Sequence, residues 1–231
     1  DKCVACGMCL VSCPFSAIVD KGQIFQTILT INSGAPVYAI VAPAVAGQFG
    51  PDMKPEKIRP AFQALGFKDV VEVAVGADLC TIEEAKDFME EVPEKIPFMG
   101  TSCCPAWVRF VETKYPELLP YVSTCKSPME MFGAVLKEYY KPADKEAGME
   151  TISVAVMPCV AKKYEAARDE FCRDRVPDVD YVITTKELIL MIKELGVQFQ
   201  EIEPSAPDMP FSINSGAGVI FGVTGGVMEA A

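Results

Sequence analysis

Val154-Ala-Val-Met157-Pro158-Cys159-Val-Ala-Lys162-Lys-Tyr-Glu165 packs a strand, a cysteine-bearing loop and the start of a helix into one short stretch. The same grammar is read in Ile96-Pro-Phe-Met-Gly-Thr-Ser-Cys103-Cys104-Pro105-Ala-Trp107. In open α/β sheets ligands bind outside the carboxyl ends of the strands, so Cys104 and Cys159 can converge there. A helix N-terminus following each cysteine favours a thiolate. The alternative is a pair of ordinary buried cysteines. A proline beside each one, in two like-built loops, weighs against it.

Outward from these loops the chain alternates strands and helices. Val37-Tyr-Ala-Ile-Val-Ala42 is an apolar run of strand length that ends at Pro43. Helical spacing covers residues 55–65, and 70–75 reads as a strand. A helix is expected over 81–91, opened by Thr81 with Glu84 three residues on as a capping box. A short strand at 96–99, helices at 105–114 and 127–139, and a strand at 151–157 follow. A helix at 160–169, a strand at 181–183 and a helix at 186–195 closed by Gly196 complete the series. The tail is glycine-rich, with a helix beginning at Val227. This alternation predicts an α/β domain with a mostly parallel sheet flanked by helices, behind a small cysteine-rich module with a turn and strand near Phe15-Ser-Ala-Ile18. The expected division is 1–25 for the module and 26–231 for the larger domain.

The composition removes several classes of function. The chain has no histidine, which excludes haem held by imidazole, histidine zinc sites and histidine general bases. A net charge of −11 without a basic patch argues against nucleic acid and anionic membranes. No apolar run reaches the roughly 20 residues of a membrane span, and a cytoplasmic location is expected. Ten cysteines, unevenly placed and without a secretory signal, do not read as a disulfide framework.

Four of them form Cys3-Val-Ala-Cys6-Gly-Met-Cys9-Leu-Val-Ser-Cys13-Pro14, the bacterial ferredoxin ligand spacing. Two-residue gaps let three thiolates of one loop converge on a [4Fe–4S] cube, and small Ala5 and Gly7 admit backbone N–H groups to its sulfurs. In two-cluster ferredoxins the fourth cysteine, here Cys13, serves the other cluster. The expectation is therefore a fragment, with a companion run upstream of Asp1.

Thr101-Ser-Cys-Cys-Pro-Ala-Trp107 and Met157-Pro-Cys-Val-Ala-Lys-Lys-Tyr-Glu165 resemble the first two signatures of the [FeFe]-hydrogenases. The resemblance continues through Gly76-Ala-Asp-Leu79, Asp180-Tyr-Val-Ile-Thr-Thr-Lys-Glu-Leu188 and Ser215-Gly-Ala-Gly to Ala231. It implies an H-cluster, a [4Fe–4S] cube bridged to a di-iron centre carrying CO, cyanide and an azadithiolate. By motif position Cys104 and Cys159 would ligate the cube, and two further ligands would lie in a third signature downstream of Ala231. Cys103 would shuttle protons, continuing through Glu84, Ser123 and Asp87, where the family often has Glu in place of Asp87. Lys162 would donate to a cyanide. Ala42, Pro43, Met157, Pro158, Pro128 and Phe221 would wall the cofactor. Cys80, Cys125 and Cys172 match no signature position and read as buried or half-buried thiols, and Trp107 and the methionines read as core.

The function this resemblance implies is reversible reduction of protons to H2. Electrons would come from ferredoxin or another redox protein through [4Fe–4S] clusters, and maturation proteins would supply the di-iron site. The alternatives are a sensory member of the family, against which Cys103 speaks, and a non-catalytic relative in iron–sulfur assembly. Lys162, Met157 and the Cys103-Cys104 pair favour the enzyme.

Overall fold

A computed structural model describes residues 2–45, 47–49, 54–205, 215–222 and 225–230. Val223, Thr224 and Ala231 of the C-terminal motif lie outside them. The centre is a four-stranded parallel sheet of β1 (Val37–Val41), β2 (Asp69–Glu72), β3 (Ile152–Met157) and β6 (Tyr181–Thr184), in the order β2-β1-β3-β6. A two-residue antiparallel pair, β4 (Cys172–Arg173) with β5 (Val176–Pro177), lies outside it.

All five residues of β1 are buried, as expected of a central parallel strand covered on both faces. The period of two divides them between two apolar layers. Val37, Ala39 and Val41 join Val154, Val156 and Ile183 beneath α2 (Ile24–Asn32), α3 (Ile58–Ala64) and α8 (Thr185–Glu194). Tyr38 and Ile40 join Ala155, Met157 and Val182 against α6 (Pro128–Glu146), through Met129, Phe132 and Leu136. Each fully buried aliphatic side chain contributes about 1.5–3 kcal/mol by leaving water.

A second knot of stability sits at the amino ends of the strands. Asp144 of α6, only 1 % exposed, accepts from Tyr38 Oη (3.2 Å), Lys68 Nζ (2.6 Å) and Thr151 Oγ1 (2.7 Å). One carboxylate thereby joins α6 to β1 and to the residues that lead into β2 and β3.

Several local expectations fail for identifiable reasons. α4 spans Ala74–Glu91, so Thr81 lies in its interior and no capping box opens it. The signal for the true start is hidden by Gly76, which is needed at the α4–α6 crossing. A Cβ there would lie 2.4 Å from the Pro128 carbonyl oxygen and 2.7 Å from Phe132 Cβ. No strand forms at 96–99: Pro97 has no N–H to donate, and the one isolated parallel bridge nearby is made by the next residue, Gly100, with Val122. The Cys103 loop therefore does not extend from the central sheet. The N-terminal module holds a short helix, α1 (Met8–Ser12), and no strand near Ile18. The stretch before β1 is the helix α2, whose Ile24, Ile28 and Ile31 pack on the core at helical spacing. Trp107, Met8, Met89 and Met228 are exposed rather than core, and Cys172 is exposed as well.

α5 (Pro105–Lys114) coincides with its expected span because Pro105 sits at the first helical position. α6 begins at Pro128 with Ser127 as N-cap, accepting from the Glu130 amide. α7 (Ala161–Ala166), α9 (Gly216–Ile220) and α10 (Gly226–Ala230) are short. α9 rests on the first turn of α4, so close that a Cβ on Gly218 would lie 2.4 Å from Ala74 Cβ.

Candidate functional site

From β1 the chain crosses to β2 on one side, whereas β3 lies on the other side of β1. The topological switch point therefore falls between β1 and β3, where α/β sheets open a crevice at the carboxyl ends of the strands. β1 runs out into Ala42 and Pro43, and β3 into Pro158 and Cys159. The Ala42 amide still donates to Val156 O (3.1 Å), which keeps the two exits side by side. Ala42 and Met157 are buried, and Pro128 is buried under the α4–α6 crossing. Phe221, half-buried, follows α9 on the same end of α4.

The Cys103 loop is brought to this edge from outside the sheet. Gly100 N donates to Tyr121 O and Ser123 N to Gly100 O, both at 2.7 Å, pinning residues 100–102 to residues 121–125. Ser102 Oγ donates to Cys125 O at 2.5 Å. From the other side Lys162 Nζ donates to the Cys103 carbonyl at 2.9 Å and pairs with Glu165 Oε2 at 2.6 Å. These two contacts leave one of the three ammonium N–H groups for a ligand. Arg168 Nη2 bonds Glu112 Oε1 at 2.6 Å, locking α5 to the end of α7. Cys104, exposed at the N-cap of α5, and Cys159, half-buried just before α7, thus stand at the entries of two packed helices.

Behind Cys103 lies Glu84 on α4, only 2 % exposed, and neither carboxyl oxygen makes a well-aligned hydrogen bond among the described residues, although donors lie close by. Burial pushes its carboxyl above the ordinary range. The Ser123 hydroxyl, the Ser102 backbone amide and the Cys80 thiol oppose this, and the Asp87 charge adds to it. Burial likewise pushes the Cys103 thiol up, opposed by the Lys162 ammonium and the Thr101 hydroxyl. Burial thus acts on both groups in the direction of the protonated form. Ser123 and Asp87 act on Glu84, and the charge of Glu84 acts on Cys103. Ser123 also lines a cavity of about 340 Å³ with Ser102, Thr124, Cys125 and Arg168.

Three residues of this region carry no signal in a short sequence window. Cys80, fully buried, donates towards Lys126 O (3.7 Å), and its thiol lies near enough to Cys125 to hold that thiol below its ordinary value. Glu130 is fully buried, with both carboxyl oxygens unpartnered among the described residues. The Ser127-x-x-Glu130 spacing suits a capping box, but only the Ser127 half forms. Burial, with Glu165 and Asp178 nearby, raises the Glu130 carboxyl from 4.5 to about 8. A group raised by folding supports stability fully below its unfolded value and loses that support as pH climbs through its folded value. Glu130→Gln is therefore expected to match the wild type near pH 4.5 and to gain steadily on it up to pH 8, by about 2–4 kcal/mol. Urea denaturation at both pH values checks this.

The N-terminal cysteines lie on a separate loop, with Cys3, Cys6 and Cys9 exposed. Ala5 and Gly7 adopt positive φ (58° and 75°), and the Ala5 amide donates to Cys3 Sγ at 3.4 Å. Backbone amides of Ala17 and Phe15 hold the Cys13 thiol below its ordinary value. Amides aimed at cysteine sulfurs on a loop of this spacing suit a [4Fe–4S] cube. At the sheet edge two thiols, a spare ammonium N–H and apolar walls suit a group that is anionic and partly hydrophobic.

Residues 35–231 match the family described as iron only hydrogenase large subunit, C-terminal domain, and residues 1–19 match the 4Fe-4S binding domain. The NADP-reducing hydrogenase subunit HndD of Solidesulfovibrio fructosivorans is 39 % identical over 99 % of this chain and 42 % of its own length. Iron hydrogenase 1 of Clostridium pasteurianum is 40 % identical over 94 % of the chain and 40 % of its own. Protein NAR1 of Arabidopsis thaliana is 30 % identical over 96 % and 52 %. The chain thus spans less than half the length of the two hydrogenases. Apo [FeFe]-hydrogenase HydA1 from Chlamydomonas reinhardtii superposes with a TM-score of 0.74 at 37 % identity, over 90 % of this chain and 56 % of that one.

Proposed function

The chain belongs to the iron-only hydrogenase large-subunit family, and from that premise we infer that it supplies the proton-handling and electron-entry half of a site for the reversible reduction of protons to H2. The observation that carries this reading is the placement of Cys103. Its loop is held by Lys162 of the helix that follows Cys159, it adjoins Cys104, and behind it stands a buried Glu84 whose carboxyl burial pushes up. Without histidine, proton movement needs groups that both donate and accept, and thiol, carboxylic acid and hydroxyl all do so.

In this reading Cys104 and Cys159 would hold the cube of an H-cluster. Lys162 would direct its remaining N–H to an anionic ligand. Ala42, Pro43, Met157, Pro158, Pro128 and Phe221 would exclude water. The bound group would supply the redox chemistry and the hydrogen-binding metal. The protein delivers protons: the Cys103 thiol gives one inward and is reloaded from Glu84, which is reloaded through Ser123 and Asp87. Cys3, Cys6 and Cys9 would carry a [4Fe–4S] cluster, with Cys13 serving a neighbouring one, and would take electrons from ferredoxin or a like redox protein. The division at residue 25 between cluster segment and catalytic domain follows from the same reading. We assign the reaction to the cytoplasm; among the described residues no helix is long and apolar enough to cross a membrane.

A second reading is an iron–sulfur assembly role, favoured by the similarity to NAR1. A test separates the two. The full-length protein, produced with hydrogenase maturation proteins, is expected to show infrared bands of metal-bound CO and cyanide and to evolve H2 from a reduced viologen. A full complement of iron–sulfur iron with neither bands nor H2 would overturn the hydrogenase reading and leave the second.

A further inference from the structure

The segment that leaves the N-terminal cysteine loop is tied to the larger domain at a small set of points, and these converge on α7 and β6. Lys163 Nζ, on a side chain 12 % exposed, pairs with Asp20 and reaches both carboxyl oxygens of Glu187 (2.9 and 2.8 Å). Glu187 is itself fixed by the Thr184 amide (2.6 Å) and hydroxyl (2.9 Å) at the head of α8. Gly22 passes so near that a Cβ there would lie 3.0 Å from Glu187 Oε1. Gln23 Oε1 accepts from the Val182 amide (2.8 Å) on β6. At the other end of the segment Gly7 lies against Val160: its Cβ would fall 2.5 Å from Val160 Cγ2, and its φ of 75° already favours glycine.

Val160 follows Cys159, and Lys163 follows Lys162, whose ammonium holds the Cys103 carbonyl. Successive helix residues point about 100° apart. α7 therefore turns Lys162 towards the cysteine loops of the larger domain and Lys163 towards the N-terminal segment. One short helix is the spacer between two sets of cysteines.

We propose that Lys163 is a positioning residue which, by clamping Asp20 and Glu187, holds the Cys3–Cys6–Cys9 loop at a fixed separation from Cys159 for electron transfer. The step is the passage of one electron, so that a reduced N-terminal cluster is oxidised by one and the cube at Cys159 is reduced by one. A low-potential redox protein re-reduces the first. The proposal rests on the reading in which both cysteine sets carry [4Fe–4S] clusters. The clamp itself is a property of the polypeptide.

The test uses the full-length protein with its iron–sulfur clusters rebuilt, and the di-iron centre is not required. Amide hydrogen exchange reads how firmly residues 2–24 are held. Electron paramagnetic resonance of the reduced protein reads magnetic splitting between the two clusters. Lys163→Met is expected to keep wild-type iron and sulfide, to lose most of the exchange protection of residues 14–24, and to lose the splitting. Lys163→Arg is expected to restore both. Wild-type exchange and splitting in Lys163→Met would overturn the proposal. Should Lys163→Met lose iron, Asp20→Asn decides: it removes one of the two carboxylate charges, partial loss of both signals supports the clamp, and unchanged signals sink it. A wild-type protein that shows no cube at all would defeat the hydrogenase reading. The exchange comparison would still decide the clamp.

Discussion

Cys103→Ala is expected to lower H2 turnover by at least about 10²–10⁴-fold, the worth of one positioned proton donor, with the cofactor still bound. Among the described residues, Cys103 combines a loop held by Lys162 with a thiol that burial pushes up. It stands between Lys162 and Glu84, and burial keeps its thiol loaded. Glu84 and Asp87 lie behind it on α4 and cannot replace it without moving the helix. Cys103→Ser keeps a donor and acceptor of similar size but a much weaker acid, so it is expected to be nearly as impaired. Turnover is measured with a reduced viologen, alongside infrared spectra that verify cofactor content. Normal H2 evolution by the alanine variant, fully loaded, would remove Cys103 from the path. Loss of the cofactor bands would instead mark it as part of the cofactor's support.

Asp144→Ala has the largest effect expected on stability alone. It leaves the buried Tyr38 and Thr151 hydroxyls without their acceptor and strips Lys68 of its partner. Breaking a buried charged hub from one side costs about 3–5 kcal/mol, which for a chain of this size lowers the melting temperature by roughly 10 °C. Asp144→Asn is expected to cost less, since it keeps one acceptor. Scanning calorimetry or urea denaturation reads both. Tyr38, Lys68 and Thr151 lie at the amino ends of the strands, whereas the cysteine loops lie at the carboxyl ends. The alanine variant should accordingly lose stability with little change in the geometry around Cys103. An intact denaturation midpoint would show that the Asp144 network contributes nothing net.

The parts of the fold legible in the sequence are those written in local chemistry. β1 is a run of branched and aromatic residues closed by Pro43, and α5 is announced by Pro105. The loop around Cys159 follows from the strand before it. What stayed hidden depends on partners far away along the chain. Gly76 reads as a helix breaker until Pro128 and Phe132 are seen to need its missing Cβ. Ile24, Ile28 and Ile31 form an apolar stripe in a stretch that looks like a bridge. Residues 96–99 look like a strand, but Pro97 denies them a ladder. At the site Cys104 and Cys159 could be singled out from spacing alone. On sequence alone Glu84 and Asp87 read as a solvated helix face; the family resemblance assigned them to the site, and the burial of Glu84 is visible only in three dimensions. Glu130 had no such advocate. Its position at the start of α6 suggests a cap, while its surroundings are built by α7 and residues 176–180.

The Gln23 side chain on the Val182 amide has a consequence for handling the protein. β6 is an outer strand of the sheet, and an outer strand offers unpaired backbone groups to any other extended chain. Gln23 and the helix after it cover that rim. A form in which the N-terminal segment is cleaved or detached would uncover the backbone edge of β6, beginning with the Val182 amide, and self-association through strand pairing would compete with refolding. Keeping that segment attached thus protects the solubility of the chain as well as its wiring.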